Sequence, residues 1–248
     1  MYDPLMVPQA LDQNKQPVIA LCGLAMIFNY IWFVLAVRKG FKDKAYPIPL
    51  FSTLFWLCGD GSGVLSFDLY FNVYHHWYLE LFWVALIFTV SFEILFIWMT
   101  FRFGREELSL GGNFILFPAS LIAAAVVFVT SWIYLRPILN DDLNITYFNL
   151  ANMAGPIAYA GLLTRRRSIA GTSSWIWIFY TLMLVSWYAA QVLYFGPEFR
   201  SPKMIAFFSV NIASAALLAL YVRSLEARAT AETVGQTKDM DRIAALQL

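Results

Sequence analysis

Seven apolar runs of about 20 residues, separated by short polar loops, constrain this chain more than any other feature. They fall at roughly 18–37, 47–67, 77–101, 113–135, 147–163, 173–195 and 204–222. Such runs bury no polar face, so the expected fold class is an all-α membrane protein with seven transmembrane helices. With 60% hydrophobic and 13% charged residues, the composition lies outside the range of soluble domains. The spans leave room for one transmembrane domain, 1–222, and a polar cytosolic tail, 223–248, expected as a frayed helix or disordered. Net charge is +1, which gives no electrostatic reason to expect nucleic acid.

Lys and Arg fall unevenly across the loops, and that asymmetry sets orientation. Arg38, Lys39, Lys42, Lys44, Arg102, Arg105, Arg165, Arg166, Arg167, Arg223, Arg228, Lys238 and Arg242 share one side, while Lys15, Arg136, Arg200 and Lys203 share the other. The N-terminus is therefore expected in the lumen and the C-terminus in the cytosol. The N-terminal residues lack a cleavable signal pattern, so the first span is read as a retained anchor inserted in the endoplasmic reticulum. Asn144-Ile145-Thr146 is a lumenal glycosylation sequon in this topology. A weak similarity of layout between the first three and last three spans suggests a 3+1+3 parallel repeat, as in small sugar carriers of the SWEET type.

Few ionisable residues lie at membrane depth. Asp60 sits among Gly59, Gly61 and Gly63, where insertion of an aspartate costs about 3 kcal/mol and calls for a partner, a wet cavity or a chemical role. The glycines fit either close helix packing or close approach of a substrate. Helical rise places Glu93 roughly 9 Å nearer the cytosol than Asp60, and Asn211 within a turn of its level. The three are expected to line one cavity at two depths. Trp56, Phe92, Trp177, Trp187 and Tyr188 belong to an aromatic cluster from which a cation could find ring faces.

The remaining polar motifs read more plainly. His75-His76 fits an interfacial loop and assembles no metal site, and Asp68 and Glu80 lie near helix ends. Arg165-Arg166-Arg167 with Ser168 offers a phosphate grip, although a basic cytosolic loop is what topology requires. Cys22 and Cys58 are read as packing residues.

The run Asn29-Tyr30 with Arg38-Lys39-Gly40-Phe41-Lys42-Asp43-Lys44-Ala45-Tyr46-Pro47-Ile48-Pro49-Leu50 resembles the corresponding run of the fungal integral-membrane terpene cyclases that make meroterpenoids and indole diterpenes. The likeness extends in length and layout to Arg102-Phe103-Gly104-Arg105 and to the loop before Gly171-Thr172-Ser173-Ser174. In that family a Trp-Glu pair follows the Pro-Leu motif, and its glutamate protonates an epoxidised polyprenyl chain. Counting from Pro49, the matching positions are Gly59 and Asp60, and the family's acid in the last helix is matched by Asn211.

The resemblance implies a terpene cyclase, classed with the isomerases or lyases of secondary metabolism, that works without cofactor or metal on a lipophilic prenylated substrate dissolved in membrane lipid. Asp60 would be its general acid, Glu93 a hydrogen-bond partner or terminal base, and Asn211 the group that orients Asp60. The alternatives are an isomerase or ring-forming enzyme for another lipophilic substrate, and a SWEET-like carrier of small solutes. A seven-helix receptor has little support, because no substantial cytosolic coupling loop is present.

Overall fold

The computed structural model describes residues 2–108 and 116–245, and every regular element among them is helical. Each predicted apolar run is a helix: α2 (Lys15–Asp43), α3 (Leu50–Leu65), α4 (Trp77–Phe103), α6 (Leu116–Ile138), α7 (Ile145–Arg166), α8 (Ser174–Ala190) and α9 (Pro202–Ala245). Two short helices, α1 (Met6–Asp12) and α5 (Arg105–Leu108), complete the α-helical set. Five of the helices are long and apolar enough to cross a membrane: α2, α4, α6, α8 with its extension to Phe195, and α9. The chain is thus a helical membrane protein. Helix α3 is apolar but only 16 residues long, and α7 is diluted by Asn149, Asn152 and its terminal arginines.

Local chemistry accounts for the boundaries. Pro49 stands as N-cap of α3, where a missing N–H costs nothing. The His76 ring accepts from the Tyr78 N–H at 3.3 Å and caps α4, as expected of an interfacial loop. Lys44 ends α2 in a left-handed conformation, at φ 51°. Helix α8 widens at its end into a π-turn, Gln191–Phe195, before Gly196 turns the chain at φ 139°.

Helices α2 and α8 pack most extensively, followed by α8 with α9 and α3 with α4; α6 lies against α3 with much of its surface outward. Helix α9 does not stop at Val222 but continues as helix to Ala245, so most of the expected tail extends a membrane helix. The predicted start of the fourth span, Asn113, lies outside the described residues, as do the side chains of Lys238 and Arg242.

Two structures close the ends of the bundle. At one end α1 folds inward with Val7 and Leu11 buried. Asp12 accepts hydrogen bonds from Trp77 Nε1 at 2.7 Å and His76 Nε2 at 3.0 Å, and Tyr2 OH donates to Asp141 at 2.6 Å. At the other end the segments around Asp43, Gly104 and Gly171 converge on Tyr46. Its hydroxyl donates to Glu107 at 3.0 Å and its ring lies 4.4 Å beneath the Arg166 guanidinium; a Cβ on Gly104 would come within 2.7 Å of that ring. Arg165 and Arg166 both pair with Glu107, at 2.8 and 3.0 Å, and the Gly171 N–H donates to Asp43 at 2.8 Å. These two guanidiniums are occupied by protein groups and serve a structural clasp, in line with the plainer reading of this basic loop over a phosphate grip. In the sequon, Asn144 is wholly buried and donates to Ser62 Oγ at 3.2 Å, so a glycan on it would have to displace this packing.

Candidate functional site

The site begins with the contact between α3 and α4. Asp60 and Glu93 were expected at different depths, yet both face one cavity and interact with each other there. The reason is geometric. Every helical Cα–Cβ bond leans toward its own N-terminus, and α3 and α4 pack as successive helices of opposite direction, so the two side chains lean toward one another and close the gap. The Thr89 hydroxyl, one turn from Glu93, lies beside Asp60 and the Ala85 and Leu86 carbonyls.

Both acids are enclosed, Asp60 at 8% and Glu93 at 1% exposure, and Glu93 Oε2 has no hydrogen-bond partner. Two carboxylates against each other in an apolar surrounding repel strongly, so the contact is held only when the pair keeps a proton between them. This pair lines a cavity of about 100 Å³ bounded by α2, α3, α4, α7 and α8.

The rest of the lining is aromatic and apolar, chiefly Trp32, Phe33, Trp56, Phe82, Tyr180 and Trp187, with Asn29 and Asn152 as its amides. Every N–H or O–H on these rings is already committed. Trp32 Nε1 donates to Asn29 Oδ1 at 2.9 Å, Trp56 Nε1 to the Ala151 carbonyl at 3.0 Å, and Tyr180 OH to the Asn152 carbonyl at 2.8 Å. Trp187 Nε1 donates to Asn149 Oδ1 at 3.2 Å. That amide is fixed in turn by Gln191, through Asn149 Nδ2 to Gln191 Oε1 at 2.8 Å and Gln191 Nε2 to Asn149 Oδ1 at 2.9 Å. The π-turn that carries Gln191 thus anchors a wall of the cavity, a common use of such turns. With their polar handles tied, the rings bring π surface to the cavity and the acids bring its proton.

The glycines around Asp60 divide into two kinds. A Cβ on Gly59 would run into the Tyr147 ring, and one on Gly63 would come within 2.5 Å of Leu86 Cδ1, so both serve helix packing. Gly61 meets nothing within 4 Å, and none of the three lines the cavity. Gly155 plays a related part on α7, where a Cβ would come within 3.0 Å of both Tyr180 OH and Trp56, two residues of the lining.

Of the residues expected at the site, the structure brings together Asp60, Glu93, Trp56 and Trp187. Asn211 is buried on α9 outside the lining, with Nδ2 donating to its own helix at the Phe207 carbonyl, 3.2 Å away, which leaves Asp60 to be oriented by Glu93 and Thr89. Phe92 packs against Phe33 with ring centres 5.1 Å apart, Trp177 against Tyr159 at 4.7 Å, and Tyr188 against Phe208 at 4.2 Å. All three stand behind the lining. Sequence reasoning missed Trp32, Thr89, Asn149, Asn152, Tyr180 and Gln191. Their signal was present in part, since Thr89 shares a helical face with Glu93 and Asn149, Asn152 and Gln191 are amides in apolar helices.

Comparison with known proteins matches the chain to no family model, no curated protein and no solved structure.

Proposed function

We propose that the chain is a membrane-bound terpene cyclase acting on a prenylated aromatic or similar meroterpenoid, in its epoxidised form. The observation that carries this reading is the pair of enclosed acids, Asp60 and Glu93, in the wall of a cavity otherwise chiefly aromatic and apolar. Asp60 donates its proton to the epoxide oxygen, the C–O bond at the more substituted carbon breaks, and a tertiary carbocation forms. Neighbouring alkenes attack in sequence, each bond formed moving the positive charge along the folded chain.

The rings of Trp32, Trp56 and Trp187 stabilise that travelling charge through their negative faces. Their N–H groups, bonded elsewhere, stay out of the reaction. The final carbocation loses a proton to the ionised pair, with Glu93 as the partner that relays it, so substrate and product are isomers and the acid is restored. Such a cascade needs a dry, shaped cavity and neither a redox step nor an external reactant.

In this reading all seven apolar helices span the membrane of the endoplasmic reticulum, with the N-terminus in the lumen and the C-terminus in the cytosol. Helices α2–α4 and α7–α9 form two triplets around the linker α6. Protease added to sealed microsomes would then remove a C-terminal tag and spare an N-terminal one. For the chemistry, microsomes containing the protein are incubated with an epoxidised farnesylated phenol and the products separated by mass spectrometry. The expected product is a cyclised isomer of unchanged mass, and Asp60→Asn lowers its rate by about 10²–10⁴-fold. Full turnover by Asp60→Asn would refute the assignment of the acid.

A further inference from the structure

The acid-lined cavity is small against the roughly 300–1,000 Å³ of typical small-molecule sites, and it does not end at its aromatic wall. A second cavity of about 300 Å³ lies between α2 and α4 and shares Met26, Phe82 and Trp187 with the first. Taken together, the two fall within that range.

Three features suit this second cavity to hydrocarbon. Its few polar groups are occupied, with Tyr30 OH donating to the Ala85 carbonyl at 3.0 Å and Cys22 Sγ lying 3.8 Å from Tyr78 OH. Its rim is made of Ile19, Leu81, Val84 and Phe88, all exposed on the apolar flank of the bundle. Gly23, in its wall, leaves open space where any other side chain would stand.

We propose that this cavity holds the linear isoprenoid tail of the substrate. The tail is admitted sideways from the bilayer between α2 and α4, and Met26, Phe82 and Trp187 form the constriction between it and the acids. This inference rests on the cyclase reading, from which it takes the reacting end of the substrate. A tail entering by this route passes from lipid to protein without meeting water, and no buried polar group is left unpaired by its arrival.

The test uses the full-length protein in phosphatidylcholine nanodiscs and a farnesylated phenol carrying a diazirine at the far end of its tail. After irradiation, the label is expected on α2 and α4, at Cys22, Met26, Leu81 or Ala85, and to be displaced by excess unlabelled farnesylated phenol but not by oleate. Gly23→Phe fills the open space and should cut labelling at least tenfold. Ala85→Phe does the same from the opposite wall should the first variant fail to fold. Asp60→Asn should retain labelling, and Gly161→Phe, on an exposed and open position of α7, should leave it unchanged.

Label elsewhere in the chain, label that survives both phenylalanine variants, or equal displacement by oleate would overturn the proposal, the last pointing to a lipid acyl chain as occupant. Labelling in the channel with no turnover of any epoxide would sink the cyclase reading and leave the channel standing as a hydrocarbon site. Turnover that is indifferent to both phenylalanine variants would do the reverse.

Discussion

The Asn149–Gln191 pair gives the most quantitative handle on this structure. Gln191→Leu keeps the side-chain volume but removes both amide–amide hydrogen bonds, those of 2.8 and 2.9 Å, in a place where Gln191 is 0% and Asn149 2% exposed. Hydrogen bonds between helices in membrane proteins average about 0.6 kcal/mol each, so the two together contribute roughly 1.2 kcal/mol. The variant also strands Asn149 Nδ2 without an acceptor, and an unsatisfied buried donor costs about 1–3 kcal/mol. The expected loss is therefore about 2–4 kcal/mol. Asn149→Leu should cost more, because it also removes the Trp187 hydrogen bond and strands the Gln191 amide and the Trp187 N–H together.

The double variant removes both members at once and leaves only Trp187 Nε1 unpaired, so its loss should fall short of the sum of the singles by about 1–3 kcal/mol. Reversible unfolding by SDS in mixed micelles, followed by tryptophan fluorescence, measures all four corners of the cycle. Additivity within about 0.5 kcal/mol would refute the reasoning, since it would mean that the two amides do not depend on one another.

Other predictions follow from the same packing. Gly59→Ala drives a methyl group into the Tyr147 ring and should destabilise the protein by about 1–3 kcal/mol, whereas Gly61→Ala, two residues on, meets open space and should stabilise α3 by up to about 1 kcal/mol. SDS unfolding of the two variants checks that the signs are opposite. The Tyr46 clasp gives a pH dependence. Burial raises the pKa of Glu107, but Arg166, Arg165 and the Tyr46 hydroxyl outweigh it and hold the carboxyl below its ordinary 4.5. A carboxylate with a lowered folded-state value stabilises fully above its unfolded value, and that contribution is lost as pH falls through the lowered one. Thermal stability should thus decline below about pH 4.5, and Glu107→Gln should be less stable at pH 7 and lose this part of the decline.

How the site came together explains how much of it was legible beforehand. Asp60 and Glu93 stood out because a carboxyl in an apolar helix is costly wherever it points, and cost can be read without coordinates. Counting residues along each helix then misjudged their separation, because rise per residue fixes the height of a Cα and not the direction of its side chain. Asn211 failed for the complementary reason. Its height matched that of Asp60, but α9 packs on α8 and α7, behind the walls of the cavity, and height says nothing of which helices are neighbours. The runs 38–50 and 102–105 stood out in the sequence, but the fold uses residues there for the clasp at Tyr46, some way along the chain from the acids.

Membrane residence, the helical elements and the presence of two costly acids were determined by the sequence alone, since each follows from the price of polar groups in hydrocarbon. The pairing of those acids, the choice of Trp32 and Tyr180 over Phe92 and Tyr188 as lining, the burial of Asn144 and the second cavity between α2 and α4 were decided only by tertiary packing. Helices that are apolar on every side carry no periodicity to tell which face meets a neighbour, which meets lipid and which encloses a cavity.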